Sequence, residues 1–255
     1  MGGLILAAGL GTRLRPLTND RPKALVEVEG HTLLEICIHR MAAAGAKHCV
    51  VNIHHFAPMM REYIATREWP CRVSISDESD MLLDTGGALR HAAPLFSGHD
   101  TVLVHNVDVL SSIDLKSVVT QHDADGNMAT LCASRRDTGR PLLFDKNGQL
   151  TGRANTNAES NITKEEHGQQ QLAFSGITAI NPALFALLPN DDHPYPIIDE
   201  YIRLSHEGHR IMCLLHQADQ WLDAGRPETL AKASMFMPYV QFTPNETSRR
   251  KTTNH

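Results

Sequence analysis

Hydrophobic runs alternate with amphipathic stretches through the first half of the chain. The first run, residues 3–8, is continuously apolar and is followed by a glycine, a pattern typical of a strand buried on both faces of a parallel sheet. Further strands are predicted at 48–53, 72–76 and 101–105, and helices from Thr32, after Pro58 and over about 87–96. This alternation favours an α/β fold of three layers, αβα, with a doubly wound, mixed and mostly parallel sheet.

The second half of the chain alternates less regularly. Residues 155–170 are polar and rich in Asn, Glu and Gln, so we interpret them as a mobile loop. No repeat or composition shift divides the chain, so we expect one domain over residues 1–238 and a polar tail over 239–255. Strands are predicted at 128–133, 142–144, 149–152, 172–180 and 210–215, and helices from Pro182, over 197–205 and over 227–235.

Composition and charge exclude several classes of protein. The formal net charge of −5 argues against a binder of nucleic acid that works through a broad basic surface. No apolar run approaches the roughly 20 residues of a membrane span, and no signal-peptide pattern is present, so we expect a cytoplasmic protein. The cysteines are too scattered for a structural zinc site and are interpreted as reduced thiols: Cys37, Cys49, Cys71, Cys132 and Cys213.

Residues 6–23 carry the most informative polar pattern. Gly9 and Gly11 leave the first strand in a loop where main-chain N–H groups can approach phosphate oxygens closely. Arg13 adds a planar fork of donors, and Lys23 adds a compact positive charge. The Walker pattern G-x-x-x-x-G-K-[ST] and the dinucleotide pattern G-x-G-x-x-G are both absent. The segment therefore predicts a phosphate-binding loop of another kind.

The same segment resembles the signature of the nucleoside-diphosphate-sugar pyrophosphorylases, L-A-[AG]-G-x-G-[ST]-R-L-x-P-L-T followed by P-K. The resemblance extends over residues 1–238 and is strongest to the short bacterial N-acetylmuramate-1-phosphate uridylyltransferase and mannose-1-phosphate guanylyltransferase-like subfamilies. It implies an enzyme that transfers NMP from an NTP, UTP or GTP being favoured, to a sugar 1-phosphate. It also implies a nucleotide-binding half (1–110) and a sugar-phosphate-binding half (111–238).

Two further segments resemble the metal-binding motifs of this family. Asn106 and Asp108 end the strand predicted at 101–105, where the family carries N-G-D, although Val107 replaces the glycine. Residues 221–225, W-L-D-A-G, resemble the family's W-x-D-[VI]-G and contain Asp223. The resemblance implies that Asp108 and Asp223 bind Mg²⁺, a hard cation for which two carboxylates with phosphate oxygens and water suffice.

The remaining resemblances concern substrate recognition. Residues 83–89 resemble the family's L-G-T-A-G-A-L near the nucleobase, and residues 174–177 resemble N-A-G-I beside the sugar. Catalytic roles are thereby implied for Arg13, Lys23 and Asp108. Nucleotide binding is implied for Leu6, Ala7, Ala8, Gly9, Gly11, Thr12, Arg13, Lys23, Thr85, Gly86, Gly87 and Asn106. Sugar-phosphate binding is implied for Asn106, Ser175, Gly176 and Asp223.

Several alternatives stay open from the sequence. The first motif also suits a cytidylyltransferase acting on phosphocholine or another phosphorylated acceptor, and a silent regulatory relative is a further reading. A glycosyltransferase would need a D-x-D metal motif, which Asp123 and Asp125 match formally in what we interpret as a solvated turn after a helix. Asp77 and Glu78 are likewise interpreted as a solvated acidic turn, with the nucleobase edge as the alternative. The oligomeric state is open, a homodimer included.

Overall fold

The computed structural model describes residues 1–154, 169–190 and 193–242. Most of the predicted loop at 155–170 and the end of the tail therefore lie outside the described residues. The strands are β1 (Gly2–Leu6), β2 (Glu27–Val28), β3 (His31–Thr32), β4 (His48–Ile53), β5 (Arg72–Asp77), β6 (Val102–Asn106), β7 (Val109–Ser111), β8 (Ala129–Ser134), β9 (Leu142–Phe144), β10 (Leu150–Arg153), β11 (Gln170–Ile180), β12 (Ile211–His216) and β13 (Trp221–Asp223).

Six α-helices accompany the strands in the described residues, together with 3₁₀ turns that include Thr12–Leu14, Lys23–Leu25, Pro182–Leu187 and Ala233–Tyr239. The helices are α1 (Leu33–Ala43), α2 (Ala57–Ala65), α3 (Asp84–Ala92), α4 (Leu115–Asp125), α5 (Ile197–His206) and α6 (Pro227–Leu230). None of these helices has the length and apolar character needed to cross a membrane.

The main sheet follows the order β10-β9-β11-β6-β1-β4-β5, and β8 joins β11 to β12. Strand β1 pairs in parallel with β4 and β6, β4 pairs in parallel with β5, and β12 pairs in parallel with β8. Strand β11 runs antiparallel between β6 and β8. The predicted mixed, mostly parallel sheet is confirmed.

Two hydrophobic cores cover the two faces of this sheet. Alternation of side chains along β1 places Leu4 in one core and Ile5 in the other. The core around Ile5 contains apolar residues of α1, α2 and α4, and the core around Leu4 contains residues of α3 and α5. This arrangement is the expected three-layer αβα fold, with the carboxyl ends of β1, β4, β5 and β6 at one edge.

Local signals explain where the helices begin and end. The Thr32 hydroxyl accepts the N–H of Glu35 at 3.1 Å and caps α1. Asp114 caps α4 in the same way, by accepting the N–H groups of Lys116 and Ser117. Gly126, with φ of 61°, ends α4 in the left-handed conformation.

Several element predictions were wrong in detail. Helix α3 begins at Asp84 rather than at Gly87, and the turn after Asn181 is a 3₁₀ helix rather than an α-helix. The predicted helix over 227–235 is a short α-helix followed by a 3₁₀ segment. Asp123 and Asp125 lie in the last turn of α4 rather than in a turn after it. Strands β7 and β13, three residues each, were not predicted.

The packed part of the chain continues beyond residue 238. Val240 is buried in the core of α1, α2 and α4. The ring of Phe242 stacks on His31, with 3.8 Å between the ring centroids. The first residues of the predicted tail therefore pack against the fold.

Candidate active site

A cleft of about 600 Å³ opens at the carboxyl ends of β1, β4, β5 and β6. Parallel strands of an α/β sheet leave their ligand crevice at this edge, as the sequence analysis expected. Polar and charged side chains predominate among its lining residues, which are Leu6, Ala8, Gly9, Arg13, Lys23, Asn52, Glu78, Leu82, Asp84, Thr85, Asn106, Asp108 and Pro194.

Asp108 and Asp223, far apart in the sequence, lie side by side. Strand β13 pairs antiparallel with β7, which sets Asp223 opposite Val109, the residue after Asp108. The main chain adds a further bond, from the N–H of Ala224 to the carbonyl of Asp108 at 2.8 Å. The two carboxyl groups lie close enough to influence each other's ionisation. The small β7–β13 ladder therefore assembles the carboxylate pair that the sequence predicts as a metal site.

Two cations from the first motif contact this pair. Lys23 Nζ donates to Asp108 Oδ2, and both side chains are largely buried. The Arg13 guanidinium donates to Asp223 Oδ2 at 3.1 Å and lies 3.9 Å from Asp108 Oδ2. Arg13 is half exposed, so its charge can also face a ligand in the cleft. The residues with implied catalytic roles thus meet at one point.

The surroundings of the two carboxyl groups separate their pKa values. Burial raises the pKa of Asp108. The positive charge of Lys23 lowers it, and the neighbouring Asp223 carboxylate raises it. Burial alone would raise the pKa of Asp223 too. Its interaction with the Asp108 carboxyl group, the hydrogen bond from the Gly225 N–H and the charge of Arg13 together lower that pKa. The pair therefore retains a proton more readily than two separate aspartates would, and a bound cation would displace that proton.

Gly225 lies against the carboxylate pair. A Cβ atom on this residue would come within 2.6 Å of Asp223 Oδ1 and 2.9 Å of both Asp108 Oδ2 and Arg13 Nη2. The Gly225 N–H also donates to Asp223 Oδ1 at 2.8 Å. A larger residue here would force at least one of three charged side chains to shift, which the W-L-D-A-G pattern alone did not explain.

The glycine loop after β1 is braced by its own residues. Gly11 has φ of 64°, and the Thr18 hydroxyl donates to its carbonyl at 2.8 Å. A Cβ on Gly11 would lie 3.0 Å from both Lys23 Cβ and Thr18 Cγ2. Among the hydrogen bonds of the described residues, none is donated by the main chain of residues 9–13. These N–H groups, at the cleft, suit the phosphate oxygens that the motif predicts.

The N–H groups of Ala7 and Ala8 have a partner within the protein. Their N–H groups donate to Asn52 Oδ1, at 2.5 and 3.1 Å, so they are already engaged by the protein. Asn52 Nδ2 in turn donates to Glu78 Oε1 at 2.9 Å. Leu6 lines the cleft and its carbonyl accepts the N–H of Val107. A ligand would therefore contact Leu6 and Ala8 through atoms other than the Leu6 carbonyl and the Ala8 N–H, which are already hydrogen bonded.

Glu78 is not in a solvated turn, which corrects the first of the two readings of this residue. Glu78 is only 3% exposed, and its Oε2 atom accepts the N–H of Leu83 at 3.3 Å. Burial raises the pKa of Glu78, which the hydrogen bond from Asn52 opposes. Asp77 does lie at the surface, where it accepts from Ser79 and pairs with Arg61. Asn52 was missed, although a polar residue in a buried apolar strand signals a required partner.

The segment 83–89 contributes less directly than its motif implies. Thr85 lines the cleft, and its hydroxyl accepts the N–H of Ile197 at 3.0 Å. Gly86 is buried against the ring of Tyr195 and donates its N–H to the Tyr195 carbonyl at 2.8 Å. Gly87 is buried against Leu83. These two glycines seat the start of α3 on a neighbouring segment, and neither lines the cleft.

The sugar-side residues divide in the same way. Asn106 lines the cleft, and Gly176, with φ of 69°, lies against the Asn106 amide. Ser175 is fully buried, and its hydroxyl lies 2.7 Å from His216 Nε2. Val107, where the family carries glycine, is buried in the core with its side chain away from the cleft. Ser175 therefore does not reach the cleft surface.

Comparison with known proteins accords with this geometry. The family model for nucleotidyl transferases matches residues 2–239. The N-acetylmuramate alpha-1-phosphate uridylyltransferase of Caulobacter vibrioides is 34% identical over 234 residues, which cover 88% of this chain and 92% of that protein. The glucose-1-phosphate cytidylyltransferase of Salmonella typhimurium is 25% identical over 213 residues, covering 75% and 79% of the two chains.

The fold is shared with solved structures of low sequence identity. The inositol-1-phosphate CTP transferase from T. maritima has a TM-score of 0.74 at 14% identity, covering 93% of this chain and 95% of that one. The family resemblance expected over residues 1–238 is confirmed by the family model, which matches residues 2–239. The chain belongs to the nucleotidyl transferase family, among its sugar-1-phosphate nucleotidyltransferases.

Proposed function

We propose that this protein is a magnesium-dependent uridylyltransferase that transfers UMP from UTP to a sugar 1-phosphate and releases pyrophosphate in the cytoplasm. The observation that carries the reaction is the contact of Asp108 and Asp223 with Lys23 and Arg13 at one end of the cleft. Uridine is favoured because the relative from Caulobacter vibrioides, matched over 92% of its length, is a uridylyltransferase. Its acceptor, N-acetylmuramate α-1-phosphate, is the first candidate acceptor here.

The Asp108–Asp223 pair fits a magnesium ion. Two adjacent carboxyl groups, one of them buried, repel each other when both are ionised. Burial raises the pKa of Asp108, and the neighbouring Asp223 carboxylate raises it further. A hard dication would relieve this repulsion, and the cation would take its remaining ligands from phosphate oxygens and water. When bound, the ion supplies neutralising charge to the phosphates of the nucleotide. Asp108 and Asp223 would hold it.

The order of strands suggests how the nucleotide lies in the cleft. The sheet runs β6-β1-β4-β5, and the carboxylate pair follows β6 while the glycine loop follows β1. Asn52 lies on β4, and Glu78 follows β5. Phosphates over β6 and β1 would therefore leave the nucleobase over β4 and β5, beside Glu78 and Thr85. Both of these side chains line the cleft.

Positioning and charge neutralisation carry the proposed reaction. A phosphate oxygen of the sugar 1-phosphate attacks the α-phosphorus of UTP, the bond to the β-phosphate oxygen breaks, and pyrophosphate leaves. The nucleophile is already an anion, so no general base is required. The main chain of residues 9–13 and the Arg13 guanidinium bind the leaving phosphates. Lys23 stabilises charge on the α-phosphate as the bonds exchange.

The sugar side of the proposed site involves fewer described residues. Asn106 is the polar side chain of the cleft on this side, and Gly176 lies against its amide. Asp223 would act on the sugar phosphate through the shared cation. No role in sugar contact is proposed for Ser175, because its hydroxyl is occupied by His216 and Arg136.

A substrate panel tests the proposed function. Purified protein with Mg²⁺ is mixed with UTP, GTP, CTP or dTTP, and with N-acetylmuramate, mannose or glucose 1-phosphate or phosphocholine, and pyrophosphate release is measured. We expect the highest kcat/KM with UTP and N-acetylmuramate α-1-phosphate, and the largest thermal shift with UTP. Release with CTP and phosphocholine alone would replace the proposal by the cytidylyltransferase alternative. Absence of release in every combination would favour a silent regulatory relative.

Substitution of Gly225 by alanine tests the geometry of the carboxylate pair. The added methyl group overlaps Asp223 Oδ1, so Asp223 must move. Displacements of this size cost on the order of 10–100-fold in turnover, and we expect kcat to fall by that factor. Gly152→Ala is the matched control, because its nearest neighbouring atom would lie 3.8 Å from the new Cβ. Wild-type turnover in Gly225→Ala would contradict the assignment.

A further inference from the structure

Arg136, two residues beyond β8, donates several hydrogen bonds and has no role in the proposed reaction. Its Nη1 donates to Ser134 Oγ at 2.6 Å, to Ser175 Oγ at 2.9 Å and to the Ala173 carbonyl at 3.1 Å. Its Nη2 donates to the Phe174 carbonyl at 2.5 Å. These acceptors lie on β8 and β11, beside the irregular register between Phe174 and Thr178. The guanidinium is therefore fixed on the sheet rather than free to bind a ligand.

The same guanidinium covers the indole of Trp221. The Arg136 Cζ atom lies 3.6 Å from the centroid of the Trp221 ring, a stacked cation–π contact. The Trp221 Nε1–H donates to the Ser175 carbonyl at 2.7 Å. One face of the ring and its polar edge are thereby held by groups that belong to the sheet, so the position of Trp221 is set from outside its own strand.

Trp221 and Asp223 belong to the same short strand. Side chains two residues apart project to the same face, so β13 presents the indole and the carboxylate together. Strand β13 pairs only with β7 among the described strands, over three residues. Two strands of that length are marginal by themselves and need packing from a neighbouring element. Val109 and Leu110 of β7 are buried in the core, and the clamp on Trp221 adds packing from the main sheet to β13.

We propose that Arg136 is a positioning residue: by clamping Trp221 against β11 it holds β13, and with it the Asp223 carboxylate, in register with Asp108. The inference rests on the proposed function for its kinetic consequence. Its structural part, that Arg136 fixes β13, stands independently of any substrate. Arg136 also lies close enough for its charge to interact with Asp223. The planar, stacking fork of arginine is required for this role, because lysine offers neither stacking nor four directed bonds.

Kinetics with Arg136→Met test the consequence for the reaction. We expect kcat to fall on the order of 10–100-fold and the Mg²⁺ concentration for half-maximal rate to rise, because Asp223 is misplaced. The KM for the nucleotide should change less than twofold, since Arg136 does not line the cleft. Arg135→Met is the matched control, since Arg135 is an exposed neighbour bonded to Gln170. A fall in Arg135→Met equal to that in Arg136→Met would overturn the proposal.

Fluorescence tests the clamp without any turnover. In a Trp69→Phe background, Trp221 is the only tryptophan of the chain. We expect Arg136→Met to shift its emission to longer wavelength and to speed its quenching by acrylamide, and we expect Arg135→Met to change neither. Arg136→Lys should behave like Arg136→Met. Emission and kcat at the level of the parent protein in Arg136→Lys would overturn the role of the planar fork.

The two measurements separate this inference from the proposed function. If the parent protein releases no pyrophosphate in the substrate panel, the proposed function fails, but the emission of Trp221 still reports on the clamp. If the parent is active and Arg136→Met changes neither emission nor kcat, the positioning role fails alone. Should Arg136→Met not fold, as judged by circular dichroism, Arg136→Lys carries both measurements.

Discussion

Replacement of Lys23 by alanine is expected to lower kcat by roughly 10²–10³-fold with little loss of folded protein. Lys23 contacts Asp108 and lines the cleft, so its charge is available where negative charge develops on the α-phosphate. The fold should survive because Asp108, whose pKa burial already raises, can take up a proton when its partner is lost. The measurement is the initial rate of pyrophosphate release, with circular dichroism and the melting temperature recorded for the same samples.

A matched control for this variant lies on α4. Lys116 is exposed and remote from the lining of the cleft, so Lys116→Ala removes the same charge from the surface alone. It should retain the wild-type kcat. Turnover near the wild-type level in Lys23→Ala would remove Lys23 from the catalytic residues. Unfolding of that variant would instead show that the contact between Lys23 and Asp108 is needed for the fold.

Asp108→Asn should lower the rate at least about 10²-fold and raise the Mg²⁺ concentration needed for half-maximal activity. Even residues that only orient metal ligands cost 10–100-fold when changed, and a direct ligand should cost no less. The amide keeps the shape of the side chain but removes the charge that Lys23 and a dication would share. Pyrophosphate release titrated with MgCl₂ gives both quantities.

Asp125→Asn is the control for this second experiment. Asp125 is exposed in the last turn of α4 and belongs to the formal D-x-D pattern, whose other aspartate accepts a hydrogen bond from Thr101 at 2.5 Å. We expect Asp125→Asn to match the wild type in both rate and Mg²⁺ requirement. An equal loss in both variants would point to a general effect of surface charge, and a loss in Asp125→Asn alone would revive the glycosyltransferase reading.

Much of the fold could be predicted because its signals are local. The buried strands β1, β4 and β6 each contain a run of consecutive apolar residues, and Thr32 caps α1 from within its own turn. The glycine loop was also recognisable, because phosphate binding requires small residues and basic residues at fixed spacing. Signals of this kind lie within one stretch of chain and do not depend on which elements become neighbours.

The parts that could not be predicted depend on long-range pairing. The ladder between β7 and β13 is three residues long on each side, too short for a periodic pattern. Arg136 carries no motif, and only the fold brings it to Trp221. Glu78 follows an edge strand and reads as a surface residue until Asn52 and Leu83 are placed beside it. Gly86 and Gly87 match the family pattern, but their contacts with Tyr195 and Leu83 are visible only in three dimensions.

The late position of β13 in the sequence has a consequence for the timing of synthesis. Translation adds Asp108 well before Trp221 and Asp223, and the strand that carries them joins the rest through β7. A nascent chain that has emerged only as far as α5 therefore holds the glycine loop, Lys23 and one carboxylate of the pair. The second carboxylate is synthesised only after α5 and β12, so the carboxylate pair can form only once β13 has been translated.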